Sequence, residues 1–212
     1  MRYYPVFLDV AGKPVVVIGG GAVAWQKVSG LLEAGADVTV VSPELHPEIE
    51  SAVAGGRVRH VAREYEPGDL EGYFLAFVGT DDRSINSVVA QEGKDRRVLV
   101  NAVDDPPFCD FIMPAIARQG DLTVAVSTSG RSPAMARKMR EELEAFLTED
   151  FAVMLDLAAE VRKELLDRGV MIHPDVWNAA LDDDLKRLLA DGRRVEAKER
   201  LLHSLQEPAA ER

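Results

Sequence analysis

The chain contains only one cysteine, Cys109, which excludes an internal disulfide and a cysteine-rich metal site. Its four histidines are scattered without the spacing of a zinc site, so we expect no resident metal. Pro14 to Trp25 is uncharged but too short to cross a bilayer, which needs about 20 apolar residues. Asp9 interrupts the N-terminal segment where a signal peptide needs an unbroken apolar core. These absences favour a protein of the reducing cytoplasm.

Basic residues are also scarce relative to acidic ones. The net charge of the 212 residues is −11 at pH 7. Nucleic acids and anionic membrane surfaces attract basic proteins, so this balance argues against both partners. The length allows one large domain or two small ones.

Glycine, in contrast, forms a run of three residues near the N-terminus. Gly19-Gly-Gly-Ala-Val-Ala24 follows an apolar, β-branched run over 14–18 and precedes a helical apolar pattern over 23–32. The spacing Gly19-x-Gly21-x-x-Ala24 fits the dinucleotide fingerprint, in which the glycines form a tight turn and admit a pyrophosphate. The alternative is a glycine-rich turn that binds nothing. The flanking strand and helix favour a dinucleotide site.

The first half of the chain alternates predicted strands with predicted helices. Apolar runs predict strands over 14–18, 37–41, 58–61, 73–78 and 98–100, and helical patterns cover 22–34, 44–54 and 83–94. This alternation predicts an α/β fold with a doubly wound, mostly parallel Rossmann-type sheet. Ligands of such sheets bind beyond the carboxyl ends of the strands, where the strand order reverses.

The pattern changes after residue 110. Extended runs over 111–117 and 122–127 predict a β-hairpin, and Ser132-Pro133 predicts the start of a helix that ends near 147. Only helical signals follow, over 151–168, 176–190 and 194–205. We therefore predict three regions: a nucleotide-binding domain over 1–110, a small hairpin and helix segment over 111–147, and an all-helical region over 148–212.

Several motifs occur along the chain in this order: Tyr4-Pro-Val-Phe-Leu8, Gly19-Gly-Gly-Ala-Val-Ala24, Lys27, Thr80-Asp-Asp82, Asn86, Asn101-Ala-Val-Asp-Asp-Pro106, Phe111-Ile-Met-Pro114 and Ser127-Thr-Ser-Gly-Arg-Ser-Pro133. Together they resemble the precorrin-2 dehydrogenase family, which includes the dehydrogenase and ferrochelatase part of sirohaem synthases. The resemblance implies NAD-dependent oxidation of precorrin-2 to sirohydrochlorin. In some members, insertion of Fe²⁺ follows. It also implies a homodimer formed through the segments after the nucleotide-binding domain.

The predicted cofactor site combines the glycine turn with the loops after the second and fourth strands. Its residues are Gly19, Gly21, Ala22, Val23, Ser42, Pro43, Glu44, Thr80 and Asp81. The resemblance places cofactor contacts at the start of the first helix and at Pro43 and Glu44. Ser42 stands where an NAD site usually has an acid, and no arginine is present there for a 2′-phosphate, so we expect NAD. Glu44 has an alternative role as an acid in the first turn of a helix.

Asp104 is the predicted general acid/base. It follows the fifth strand and matches the aspartate that the family is thought to use. Oxidation releases a hydride and a proton, and a carboxylate beside the macrocycle is suited to accept the proton. The alternative is that Asp104-Asp105-Pro106-Pro107 is only a turn. We expect Asp105 to be structural.

A tetrapyrrole with many carboxylates needs local positive charge. Residues 118–140 carry five basic residues and one acid. We expect Arg118 and Arg131, in loops, to bind the substrate together with Ser127 and Thr128. The other three basic residues have an alternative role as a solvated helix face.

The sequence is therefore compatible with three alternative functions. The chain is a dehydrogenase alone, a dehydrogenase that also inserts iron, or a non-catalytic NAD-binding sensor with a helical dimerisation tail.

Overall fold

The computed structural model describes residues 3–80, 83–103 and 105–206. They form two compact units, residues 1–113 and 114–212. The first contains β1 (Pro14–Ile18), α1 (Ala22–Glu33), β2 (Asp37–Val41), α2 (Pro47–Ala54), β3 (Val58–Val61), β4 (Leu75–Val78), α3 (Arg83–Arg96), β5 (Leu99–Ala102) and a short 3₁₀ helix (Pro106–Phe108). The second contains β6 (Ala115–Gln119), β7 (Leu122–Val126), α4 (Pro133–Phe146), α5 (Glu149–Asp167), α6 (Pro174–Ala180), α7 (Asp183–Ala190) and α8 (Arg194–Gln206).

The first unit is built on a five-stranded sheet of order β3-β2-β1-β4-β5. Every pair is parallel, and Val15 of β1 lies opposite Val38 on one side and Leu75 on the other. The chain runs outward from β1 to β3 and then returns to the other side of β1. The strand order thus reverses between β1 and β4, which creates a ligand-binding crevice at the carboxyl ends of these strands. The predicted doubly wound α/β fold is confirmed.

Side chains of β1 alternate between two hydrophobic cores. Val15 and Val17 pack with buried residues of α1 and α2, whereas Val16 and Ile18 pack in a second cluster that contains Val89 of α3. Burial on both faces explains why β1 reads as a continuous apolar run.

The second unit begins with an antiparallel hairpin. Arg118 of β6 lies opposite Thr123 of β7, and the two-residue turn between the strands places Gly120 at φ +57°. The sequence prediction ended the first strand at 117 and put Arg118 in a loop. This was wrong, because the tight turn, which Gly120 permits, lets β6 continue to Gln119. Ser132 caps α4 as predicted, accepting a hydrogen bond from the Met135 N–H at 3.2 Å.

The remaining helices form a bundle around a third core that includes Leu157, Leu185 and Leu201. The single helix predicted over 176–190 is two helices. α6 ends at Ala180, and Asp182 caps α7 by accepting a hydrogen bond from the Leu185 N–H at 2.9 Å. Among the described residues, no helix combines the length and apolarity needed to cross a membrane.

Candidate functional site

Gly19 makes the turn at the end of β1. Its φ is +100°, a conformation that side chains strongly disfavour. A Cβ there would lie 2.9 Å from the carbonyl oxygen of Gly79, which follows β4. Gly19 therefore brings the β1 and β4 loops into contact, as a crevice at the strand reversal requires.

Gly20 is the most closely packed of the three glycines. A Cβ on Gly20 would lie 2.0 Å from the carbonyl oxygen of Glu44 and 2.8 Å from the Ser42 hydroxyl oxygen. The Gly20 carbonyl also accepts a hydrogen bond from the His46 N–H at 2.7 Å. The loop after β2 thus rests directly on the glycine turn. The dinucleotide fingerprint allows any residue at this position, so it does not predict the packing role of Gly20. The run of three consecutive glycines is the sequence feature that indicates it.

Gly21 faces open space, because a Cβ there would meet nothing within 4 Å. Gly21 is the N-cap of α1, which has no side-chain cap and no acid in its first turn. The free N–H groups and the positive end of the helix dipole are therefore available to an anion. Ala22 and Val23 begin this helix with exposed side chains.

The loop after β2 is held by its own hydrogen bonds. The Ser42 hydroxyl donates to the Glu44 carbonyl at 2.7 Å, and the Ser42 carbonyl lies 2.8 Å from Nε2 of His60. Pro43 and Glu44 are exposed. Since α2 begins at Pro47, Glu44 is not a helix-capping acid, and its carboxylate is open to a ligand.

The β4 loop contributes close packing. A Cβ on Gly79 would lie 3.7 Å from the Cβ of Ala24, which is fully buried, so the small fingerprint residue lies where α1 approaches the β4 loop. Thr80 is half-buried, and its N–H nitrogen lies 3.6 Å from the Cβ position of Gly19. Asp81, also predicted to bind the cofactor, lies outside the described residues.

The loop after β5 contains the predicted acid/base. Asp104 lies outside the described residues, but its neighbour Asp105 is buried and forms a two-point ion pair with Arg83 of α3. The hydrogen bond from Arg83 lowers the pKa of Asp105 below its usual value. The pair is not evident in the sequence, because 22 residues separate its members.

Asn101 ties the end of β5 to the chain that leaves the first unit. Its side-chain amide donates to the Phe111 carbonyl at 2.9 Å. Cys109 packs against the core beside α3, and its thiol donates to the Ala102 carbonyl at 3.0 Å. The contacts of Cys109 are those of a structural residue.

The predicted substrate residues lie in the second unit. Thr128 closes the loop between β7 and α4, because its hydroxyl donates to the Ser132 carbonyl and accepts from the Ser132 N–H, both at 3.1 Å. The Ser127 hydroxyl oxygen accepts from the Ser129 N–H. Arg131 is exposed in this loop, and Arg118 is exposed on β6.

Two of the other basic residues form ion pairs within α4. Lys138 pairs with Glu142 at 3.8 Å, and Arg140 pairs with Glu141 and Glu144. Their charges are compensated locally, so Arg131 is the stronger candidate for an anionic ligand. Among the described residues, no cluster of three His, Cys, Asp or Glu side chains is arranged to hold a metal ion.

Two family models match the chain. The model described as "Putative NAD(P)-binding" matches residues 6–115, and "Sirohaem biosynthesis protein central" matches residues 119–145. The first covers the parallel sheet and the glycine turn, and the second covers the hairpin turn, β7 and most of α4.

Curated relatives resemble most of the chain. The siroheme synthase of Photobacterium profundum is 39% identical over 208 residues, which are 97% of this chain and 44% of the relative. The siroheme synthase of Methylobacillus flagellatus is 42% identical over 168 residues, 79% of this chain and 36% of the relative. The chain thus spans less than half the length of these relatives.

The solved structure of SirC, a precorrin-2 dehydrogenase, is similar over its whole length. It is 28% identical, has a TM-score of 0.73 and aligns with 97% of this chain and 100% of its own. The resemblance inferred from the motifs is confirmed. The chain belongs to the family of putative NAD(P)-binding proteins, and it is similar to siroheme synthases and to a precorrin-2 dehydrogenase.

Proposed function

We propose that this protein is an oxidoreductase that converts precorrin-2 to sirohydrochlorin with NAD as the oxidant. The observation that carries the proposal is the uncapped start of α1 beside the open space at Gly21. The similarity to SirC along the full length of both chains supports the choice of substrate.

The residues of the crevice fit a dinucleotide. Gly21 and the first N–H groups of α1, from Ala22 and Val23, would hold the pyrophosphate. Pro43 and Glu44 would contact the adenosine, and Thr80 and Asp81 would complete the site on the β4 side. Ser42 would position the loop that carries Glu44, because its hydroxyl donates a hydrogen bond to the Glu44 carbonyl. An exposed carboxylate at Glu44 disfavours a 2′-phosphate and therefore favours NAD over NADP.

The reaction removes a hydride and a proton from precorrin-2. NAD, when bound, supplies the acceptor for the hydride. Asp104 accepts the proton as the general base, which requires that its carboxylate be ionised. Asp105 cannot share this task, because Arg83 already pairs with its carboxylate.

The substrate carboxylates would be bound by the second unit. Arg131 and Arg118 offer guanidinium groups, which suit carboxylates because they donate two parallel hydrogen bonds. The Ser127 and Thr128 hydroxyls lie in the same loop as Arg131 and add polar contacts.

A homodimer is part of this proposal, with the hairpin and α4 as its interface. Among the described residues, α4 contributes no buried side chain, although it carries Met135 and Phe146 with 49% and 63% exposure. Large exposed apolar side chains on one helix are candidates for a protein contact. Sedimentation equilibrium should give twice the chain mass, and Phe146→Glu should shift the equilibrium towards monomer.

Insertion of Fe²⁺ into sirohydrochlorin would be a second reaction at this site, with the metal as a substrate. Asp104 would then also take pyrrole N–H protons. Sirohydrochlorin and Co²⁺, used in place of Fe²⁺, test this step: metallation no faster than without protein excludes it. We also propose that the enzyme acts in the cytoplasm, because a single cysteine suits a reducing compartment.

Asp104→Asn tests the proposed function directly. We expect NADH formation from precorrin-2 to fall at least a hundredfold, the scale of general base catalysis, while calorimetry gives an unchanged Kd for NAD. Asp156→Asn, the same change at an exposed site on α5, should keep the wild-type rate. If Asp104→Asn keeps the wild-type rate, Asp104 is not the base. If the wild-type protein binds NAD without any turnover, the protein is a sensor.

A further inference from the structure

The ion pair between Arg83 and Asp105 joins the start of α3 to the loop after β5. Nε of Arg83 donates to Oδ2 of Asp105 at 3.0 Å, and Nη2 donates to Oδ1 at 3.1 Å. The Asp105 side chain is only 8% exposed, whereas that of Arg83 is 76% exposed. A two-point pair of this geometry fixes the orientation of the carboxylate as well as its position.

The backbone of Asp105 is also held on both sides. Its N–H donates to the Ala102 carbonyl at 3.3 Å. Its carbonyl accepts from the Phe108 N–H at 3.0 Å. The main chain of Asp105 is therefore anchored to the end of β5 and to the short 3₁₀ helix.

Asn86 provides a third contact from the buried face of α3. Its side chain is hydrogen-bonded to the Asp105 carboxylate, and the residue is only 3% exposed. Its Oδ1 is buried and has no hydrogen-bond partner among the described residues, which costs stability. The hydrogen bond to Asp105 therefore links the buried face of α3 to the loop after β5.

We infer that Asp105 is a positioning residue, which Arg83 and Asn86 hold in place in support of catalysis by the preceding residue, the proposed base Asp104. This inference rests on the proposed function, in which Asp104 is the base. Asp104 and Asp105 are consecutive in the chain, so the anchor holds the residue next to the proposed base. Loss of the anchor should slow the proton transfer and leave the binding of both substrates intact.

Three variants test the inference: Asp105→Asn, Arg83→Gln and the double variant. We expect each single variant to lower kcat about ten- to a hundredfold, with KM for NAD and for precorrin-2 unchanged within about twofold. The double variant should be no slower than the slower single variant, because both changes remove the same contact. Arg83→Lys, which keeps the charge without the two-point geometry, should recover part of kcat.

Another ion pair of the first unit provides a matched control. Arg59 of β3 pairs with Asp37 at 2.9 Å. Asp37 is the first residue of β2, so it lies at the amino ends of the strands, whereas the crevice lies at their carboxyl ends. Arg59→Gln and Asp37→Asn should leave kcat at the wild-type value.

Amide hydrogen exchange gives a measurement that does not depend on turnover. In Asp105→Asn and Arg83→Gln, a peptide over residues 99–110 should exchange at least tenfold faster than in the wild type, and peptides from α5 should be unchanged. Wild-type exchange in this peptide would overturn the inference. A raised KM for precorrin-2 in Arg83→Gln with normal kcat would overturn it as well, since Arg83 would then be a substrate contact. If the wild-type protein has no turnover, the proposed function fails, and exchange alone decides whether the loop is anchored.

Discussion

Gly20 and the carbonyl oxygen of Glu44 are in such close contact that no side chain fits between them. A Cβ on Gly20 would lie 2.0 Å from that oxygen. This contact fixes the height of the β2 loop above the glycine turn. Gly21, one residue later, faces open space. The two glycines therefore have different tasks, one in packing and one in leaving room for a ligand.

Gly20→Ala should destabilise the protein and weaken NAD binding together. The added methyl group must push the β2 loop away, at a cost of about 1–3 kcal/mol in the free energy of unfolding. Urea denaturation and calorimetry with NAD measure the two effects. Gly30→Ala is the matched control, since Gly30 is exposed in α1 with nothing within 4 Å of its Cβ position. It should stabilise the protein by about 0.5–1 kcal/mol and leave NAD affinity unchanged.

Gly21→Asp should abolish NAD binding without unfolding the protein. Aspartate is a favourable N-cap residue, and Gly21 already has the extended backbone conformation of an N-cap, with φ −77° and ψ −170°. Its carboxylate would occupy the anion site and repel the pyrophosphate. The expected result is a melting temperature equal to or above that of the wild type, with no calorimetric signal for NAD. A variant that still binds NAD with wild-type affinity would contradict the proposed phosphate site.

Glu44→Arg should reduce the preference for NAD over NADP by about tenfold or more. The substitution replaces an exposed carboxylate with a guanidinium suited to the 2′-phosphate, and a change of about 1.4 kcal/mol corresponds to a factor of ten. The ratio of the Kd values for NADP and NAD measures the effect. Glu48→Arg, an exposed acid of α2, is the control and should leave the ratio unchanged. An unchanged ratio in Glu44→Arg would place the ribose elsewhere.

Lys198→Met should lower the thermal stability of the second unit in a pH-dependent manner. Lys198 bonds to Glu160 at 2.8 Å and to Glu164 at 3.0 Å; these bonds lower the pKa of both carboxyls and raise that of the lysine. The network therefore stabilises the fold between the unperturbed pKa values of 4.5 and 10.5. It is lost as pH falls through the lowered carboxyl pKa or rises through the raised lysine pKa.

Scanning calorimetry should give a melting temperature about 1–3 °C below the wild type at pH 7, with a smaller difference at pH 3. Lys163→Met removes a more exposed pair with Asp167 and should have a smaller effect. A difference that does not change between pH 7 and pH 3 would show that the effect comes from packing and not from charge.

The sequence predicted the parallel sheet and the glycine turn because both depend on local signals. The β-branched run at 14–18 and the spacing of Gly19, Gly21 and Ala24 identify a strand, a turn and a helix without knowledge of distant contacts. The same applies to Ser132 and Pro133, which mark the start of α4. Element ends were less predictable, as with the break at Asp182, where a run of three aspartates was the unused signal.

Contacts between distant segments were not predictable from a single sequence. Nothing near Arg83 indicates Asp105, and nothing near Gly20 indicates that Glu44 packs on it. Both contacts arise only after parallel pairing brings the ends of neighbouring strands together. The site residues inferred from the sequence stay predictions until the variants above are measured.

The most direct test of the proposed reaction is to mix the protein with precorrin-2 and NAD under anaerobic conditions and to measure NADH by its absorbance. We predict that one NADH forms for each precorrin-2 consumed, with sirohydrochlorin as the product, and that Gly21→Asp forms none. A folded wild-type protein that binds NAD and leaves precorrin-2 unoxidised would contradict the proposed dehydrogenase function.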